Sequence, residues 1–274
     1  MIVCKELNKS FESKEEMFKA LKSNKDSIVS LKKANIQKSC DKGLGVNAKP
    51  IDVSKLGTTS KGILTDENHY YIAVNTTKVL DSHSDLHVDG IWNKTAKEQQ
   101  GKNYLVTDHK MELANVVVKK ENVEMFVAEI SFSAIGKSYE GNTQALIYKV
   151  LKTDVINELA KEWLESGDDI EASVRMQYVN IELAMNSKSK DDAEELKRYN
   201  DNVNTIANKS DFDSIDYFWV VKEAKNIGES SLVLRGSNGA TGIINNNNEP
   251  FKSTQIVEPL KDTQSVKSIN HLLI

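Results

Sequence analysis

The order of segments along the chain predicts an α+β fold, with a helix-decorated β-barrel as the variant that fits equally well. Three observations lead there. Stretches rich in Val, Ile, Tyr and Phe cluster between about residues 61 and 135 and return after residue 170. A helix-like stripe at 143–166 separates the two clusters, whereas a doubly wound sheet would alternate strand and helix regularly. The 274 residues are 39% hydrophobic and 28% charged, enough apolar material for a core.

The elements follow in order. Residues 10–35 (S-F-E-S-K-E-E-M-F-K-A-L-K-S-N-K-D-S-I-V-S-L-K-K-A-N) predict one or two amphipathic helices. Ser13 followed by Glu16 forms a capping-box pattern, and Met17, Leu21, Ile28 and Leu31 fall near helical spacing between lysines. A solvated helix packed on the domain is expected, with a docking arm for a partner as the alternative. Periodicity is lost over 36–60, where K-G-L-G and A-K-P read as a linker. I-L-T-D-E-N-H-Y-Y-I-A-V-N-T, N-Y-L-V-T-D-H-K and V-E-M-F-V-A-E-I-S-F-S-A read as strands. In 143–166, Leu146, Val150, Leu151, Val155, Leu159 and Trp163 form one helical stripe that Gly167 stops. I-E-A-S-V-R-M-Q-Y-V-N-I-E-L-A is a strand, the charged run at 188–207 an exposed helix, and F-W-V-V-K-E-A and S-S-L-V-L-R two further strands. Four asparagines at 245–248 open a polar tail, expected to be poorly ordered or detachable. The expected organisation is an N-terminal helical arm and linker over 1–55, a domain over 56–244 and a flexible tail over 245–274.

Bulk chemistry narrows the function. The net charge of −4 argues against a nucleic-acid partner, and no apolar run of 18 residues predicts a membrane span. The first residues, M-I-V-C-K-E-L-N-K, lack the apolar stretch of a secretory signal. Cys4 and Cys40 form no Cys-x-x-Cys, so a cysteine-built zinc site is not on offer, and reduced thiols are expected. No cofactor is expected.

Two constellations carry candidate chemistry. Residues 81–90 read D-S-H-S-D-L-H-V-D-G. On a strand their odd-numbered members share a face, which suggests a metal site at His83, Asp85 and His87. Alternate residues lie about 6.6 Å apart, so neighbours can share an ion while all five cannot. The Ser content and closing Asp-Gly favour a turn instead. The second constellation is a serine and a histidine. On the strand at 170–178, Ile170, Ala172, Val174, Met176 and Tyr178 form the apolar face. Glu171, Ser173, Arg175 and Gln177 form the other, so Ser173 is expected to face a cleft or solvent. Asp108 and His109 end an apolar strand, and a histidine on one strand can meet a serine on its neighbour at the roughly 3 Å that proton transfer needs. No Gly-x-Ser-x-Gly occurs, which argues against an α/β-hydrolase elbow.

Four segments together resemble the tailed-phage prohead proteases, the capsid-maturation serine peptidases related in fold to herpesvirus assemblin. They are D-S-H-S-D-L-H-V-D-G-I-W-N-K-T at 81–95, T-D-H-K at 107–110, E-A-S-V-R-M at 171–176 and G-E-S-S-L-V-L-R-G-S-N at 228–238. The resemblance spans about residues 10–242, as a divergent branch, and its specificity lies in the order of the motifs. It implies an assemblin-like β-barrel or sheet core decorated by helices. It implies Ser173 as nucleophile and His109 as general base. Assemblins place a second histidine after the serine, but here none follows Ser173 until His271, so an acid is the expected third member. Glu229 is the motif-matched choice, Glu223 the runner-up, and Asp108 sits too near His109 in sequence. Arg235 with Gly236, or alternatively Arg175, would support the oxyanion. Arg175 also departs from the family, where a small residue often stands two places after the serine.

The expected function is then a serine endopeptidase that cuts scaffold and major capsid protein precursors, and perhaps itself, inside the prohead in the host cytoplasm. It would work as a dimer or higher homo-oligomer, with no nucleic acid and no membrane. The alternatives are a non-catalytic capsid-assembly or scaffold protein with a degenerate protease core, and a metal-dependent hydrolase using His83, Asp85 and His87.

Overall fold

The computed structural model describes residues 1–35, 66–167 and 170–244, together with the backbone of residues 252–253. A hairpin of β1 (Ile2–Cys4) and β2 (Lys9–Phe11) leads into α1 (Lys14–Ser23) and α2 (Lys25–Ala34). Next come β3 (His69–Thr76), β4 (Asp85–His87), α3 (Asn93–Glu98), β5 (Tyr104–Thr107), β6 (Val116–Val118), β7 (Glu124–Ser131) and β8 (Asn142–Leu151). Then follow α4 (Glu158–Ser166), β9 (Glu171–Met185), α5 (Ala193–Asn202), β10 (Tyr217–Val233), β11 (Gly242–Ile243) and β12 (Lys252–Ser253).

The fold is α+β. One sheet is built on the antiparallel pair β9–β10. Along its other edge β10 takes two parallel partners in succession: Trp219–Val221 pair with Asp85–His87, and Glu229–Leu232 with Tyr104–Thr107. β6 closes that edge against β5. The second sheet runs β11-β3-β8-β7-β12. The two sheets share one core. Ile72, Val74, Leu146 and Tyr148 from one meet Leu105, Val174, Met176 and Trp219 from the other, all at most 3% exposed. Among the described residues the sheets stay separate, so the barrel expected from the resemblance is not formed.

The stripe at 143–166 is the main correction to the sequence reading. Residues 142–151 are strand, and the helix occupies only Glu158–Ser166. The cause is that β8 lies between β3 and β7 with both faces covered. Leu146, Tyr148 and Val150 enter the shared core while Ala145 and Ile147 enter a second one with Phe132 and Ile135. A strand buried on both sides loses its period-two pattern and mimics a buried helix. The stop signal is sound: Gly167 caps α4 in the left-handed conformation.

The N-terminal helices are present as two. The Ser13 hydroxyl accepts the Glu16 amide at 3.2 Å, and Glu16 reaches back to the Glu12 amide at 3.3 Å. They are not a detached arm, because Met17, Phe18, Leu21 and Ile28 are buried in the core that joins the sheets. Lysines tie the same helices to acids elsewhere: Lys14 to Asp216 at 2.6 Å, Lys22 to Asp192 at 2.6 Å and Lys25 to Glu195 at 2.8 Å. The charged helix after β9 is α5, and its Glu195 is buried against α2 rather than solvated. The proposed linker, the boundary at 55 and Cys40 lie outside the described residues. So does the tail, apart from residues 252–253, which pair with β7.

Leu21→Ala removes a fully buried side chain from the shared core. It should cost about 2–5 kcal/mol of global stability, read as a lowered urea midpoint followed by fluorescence of the buried tryptophans. A change below about 1 kcal/mol would mean that the helix packs as a separable arm after all.

Candidate active site

Three adjacent strands assemble the site. β5 ends at Thr107, and the next two residues turn back with positive φ, 51° at Asp108 and 55° at His109. Side chains at left-handed φ cost about 1–2 kcal/mol each, so the surroundings must hold them there. Three hydrogen bonds do so. The Asp108 amide donates to the Leu232 carbonyl at 3.1 Å, the His109 amide to Ser231 Oγ at 2.9 Å, and the Lys110 amide to the Thr107 carbonyl at 3.0 Å. The turn thus bends the histidine back over the sheet that β5 belongs to.

His109 Nδ1 lies 2.9 Å from Glu229 Oε1 and 3.2 Å from Oε2, and Nε2 lies 2.7 Å from Ser173 Oγ. A carboxylate only accepts, so Nδ1 carries the proton and Nε2 presents its lone pair to the serine hydroxyl. Glu229 is delivered by a break in the β9–β10 register between Asn226 and Ser230, where Gly228 adopts φ +78°. After this bulge β10 resumes pairing, with Ser231 directly opposite Ser173. All three side chains are enclosed, with Glu229 at 0%, Ser173 at 2% and His109 at 9% exposure. The expectation that Ser173 opens onto a cleft or solvent is therefore corrected. The chain after β10 covers that edge of β9. Thr241 Oγ1 donates to the Ala172 carbonyl at 2.6 Å and accepts the Ala172 amide at 3.2 Å.

The remaining site residues separate. Glu223 faces Lys94 at 3.2 Å and takes no part at His109, and Asp108 shapes the turn through its backbone. Arg235 is exposed. The Gly236 amide is engaged by Glu171 Oε2 at 2.6 Å, whose other oxygen holds Lys137 at 2.9 Å. Arg175 is half-buried on the same strand as Ser173, and its Nε has no hydrogen-bond partner among the described residues. Of the three supporting residues expected from sequence, it alone keeps a buried donor in reserve.

His83, Asp85 and His87 do not form a metal centre. Asp81 Oδ1 accepts the His83 and Asp85 amides at 2.8 and 2.9 Å, which makes the segment a turn before β4. Asp85 Oδ1 pairs with Lys32 Nζ at 2.5 Å and Oδ2 accepts from Tyr178 at 2.9 Å. His87 lies between Asn75 Oδ1 at 3.0 Å and the Tyr178 hydroxyl at 3.3 Å. The cation in this pocket is the lysine, and among the described residues no three His, Cys, Asp or Glu side chains converge as metal ligands would. Burial, with Lys32 nearby, lowers the His87 pKa to about 4, so the ring is neutral. Burial, then the neighbouring Asp85, raises Asp81 to about 8.

Sequence reasoning missed Ser231 as a contact of His109, and Thr241 and the Glu171–Lys137 pair as covers of the β9 edge. The signal for Ser231 was present, since a serine two places after Glu229 on a strand must share its face. Comparisons with protein-family models, curated proteins and solved structures give no match.

Asp81 gives the fold a pH dependence of known sign. Between its ordinary 3.8 and its raised value of about 8, the folded protein holds a proton that the unfolded chain releases. Stability attributable to Asp81 therefore falls as pH rises through that window. Asp81→Asn keeps Oδ1 as acceptor for both amides and cannot ionise. Its urea midpoint should fall less between about pH 5 and about pH 8 than that of the wild type. Identical pH slopes would mean that Asp81 is already charged in the fold.

Proposed function

We propose that the chain is a serine endopeptidase of the prohead-protease type, with Ser173 as nucleophile, His109 as general base and Glu229 as the acid that orients the imidazole. The observation that carries this reading is the Ser173–His109–Glu229 chain of hydrogen bonds, 2.7 Å and 2.9 Å long. In the reaction Nε2 takes the Ser173 proton as Oγ attacks the scissile carbonyl, and Glu229 stabilises the imidazolium that results. The imidazolium then protonates the leaving amine, and His109 next takes a proton from water as it attacks the acyl-enzyme and returns it to Ser173 Oγ as the ester bond breaks. Arg175, two residues after Ser173 on β9 with a buried Nε that has no hydrogen-bond partner among the described residues, would support the oxyanion.

The likeness to assemblin rests on the order of the four motif segments, with the histidine before the serine and the third group after it, and on the α+β class; the acid in place of a second histidine and the lack of a closed barrel depart from it. The setting follows from the resemblance: scaffold and major capsid protein precursors as substrates, and the chain's own termini among the cleavable segments. Action would take place inside the prohead in the host cytoplasm, as a homo-oligomer, without nucleic acid or membrane. One observation favours the non-catalytic alternative, namely the 2% exposure of Ser173. An enclosed nucleophile requires the covering chain to move before a peptide enters, which suits an enzyme held inactive until its substrates surround it.

Co-expression with the scaffold protein tests the proposal. Ser173→Ala and His109→Ala should each abolish cleavage, a loss on the order of 10⁶-fold, with the fold intact by circular dichroism. Glu229→Gln should be milder, about 10⁴-fold or less, because the amide still contacts the ring while favouring the wrong tautomer. Cleavage retained by Ser173→Ala would refute the assignment. A wild type that is inert in assembled proheads would favour the scaffold role.

A further inference from the structure

Glu229 and Ser231 stand two residues apart on β10, so both side chains leave the same face of the strand. Both meet His109, but at different places. Glu229 holds the ring through Nδ1, and Ser231 Oγ accepts the backbone amide at 2.9 Å. The hydroxyl proton of Ser231 is directed at the Leu232 carbonyl at 3.1 Å or the Val106 carbonyl at 3.3 Å, which leaves a lone pair for that amide. Ser231 is fully buried and lies opposite Ser173 in the strand register.

We infer that Ser231 is a positioning residue of the triad: by accepting the His109 amide it locks the left-handed turn that aims Nε2 at Ser173. The inference rests on the triad reading above, and its physical basis is local. Asp108 and His109 both occupy a conformation that side chains disfavour, at φ 51° and 55°. The carboxylate of Glu229 fixes the direction of the ring only if the backbone that carries the ring is itself fixed. Glu-x-Ser is therefore a two-point grip on one histidine, the acid on the side chain and the hydroxyl on the main chain. Removing the hydroxyl leaves a buried amide without a partner, and the turn is free to relax toward negative φ. The imidazole then loses its alignment with Oγ, although every catalytic group is still present.

The test uses the full-length protein as wild type, Ser231→Ala, Ser231→Thr and Ser173→Ala. Three quantities are measured: cleavage kinetics on a scaffold-derived peptide, the rate at which a small fluorophosphonate labels Ser173, and imidazole nitrogen spectra of His109 across pH. Ser231→Ala should lower kcat and the labelling rate by roughly ten- to a hundredfold, with KM changed by less than about twofold, since Ser231 touches no substrate. Its His109 spectrum should lose the single fixed tautomer, while unfolding stays cooperative. Ser231→Thr retains an acceptor oxygen and should recover most of the rate. A Ser231→Ala protein with unchanged kcat, labelling and His109 spectrum would overturn the inference, as would a rise in KM at constant kcat. If Ser231→Thr cannot pack its extra methyl, the His109 spectrum of Ser231→Ala decides alone. Should wild-type Ser173 resist labelling and leave scaffold uncut in assembled proheads as well as in the free protein, the peptidase reading fails, and the same spectra still judge the grip.

Discussion

Two long strands, β9 and β10, run antiparallel over most of their length, and their ladder sets the position of everything that carries chemistry. It places Ser173 opposite Ser231, and it offers β10 as the template on which β4 and β5 align in parallel. The end of β5 then delivers His109 beside the strand that bears Glu229. Of the three register shifts in the ladder, the last, between Asn226 and Ser230, is the one that carries Glu229. Between Asn226 and Ser230 β10 advances four residues while β9 advances two, so the bulge shifts the pairing by two and the side chains beyond it keep their faces. The geometry of the site is thus a consequence of strand register, and loops contribute only the His109 turn and the covering chain.

The helical N-terminus is bound to this frame by two kinds of force. Apolar burial of Met17, Leu21 and Ile28 supplies the larger part, about 1.5–3 kcal/mol for each fully buried side chain. Charge supplies selectivity. Lys32 is almost withdrawn from water and meets Asp85, which also holds Tyr178. A buried pair of this kind adds little net stability, yet loss of either member strands the other charge. It fixes which face of α2 lies against the sheet. The segment that reads as a metal site in sequence thereby serves as the anchor for a helix. Histidines and aspartates gathered in a short stretch suit both roles, and only the arrival of a lysine more than fifty residues away in sequence distinguishes them.

Local chemistry was the legible part of the chain. The Ser13 cap, the Gly167 stop and the β-rich texture around β3, β5, β7, β9 and β10 all follow from near neighbours in sequence. The hydrogen-bonded Ser173, His109 and Glu229 were legible for a different reason, the first two as a possible pair on neighbouring strands and all three as an order of short motifs. His109 and Ser173 are 64 residues apart and His109 and Glu229 are 120 apart, and nothing in local pattern brings such distant groups together. What escaped was whatever depended on being covered. β8 reads as helix because both its faces are buried, Ser173 reads as open because its neighbours alternate, and the barrel was expected because strand content says little about closure. The burial of a face is decided by elements far away in the chain, so alternation in sequence is an unreliable witness to solvent.

Two threonines share a feature whose consequence reaches beyond the site. Thr241 satisfies both the amide and the carbonyl of Ala172 on the open edge of β9. Thr95 does the same on β10 in the gap between β4 and β5, donating to the Ala224 carbonyl at 2.9 Å and accepting the Asn226 amide at 3.4 Å. Each hydroxyl occupies one donor and one acceptor that a visiting strand would use. Long exposed strands are adhesive, and edges are where chains stick to one another. Hydroxyl pegs at these two gaps let the molecule keep its longest strand pair without offering its own backbone as a seam for other chains.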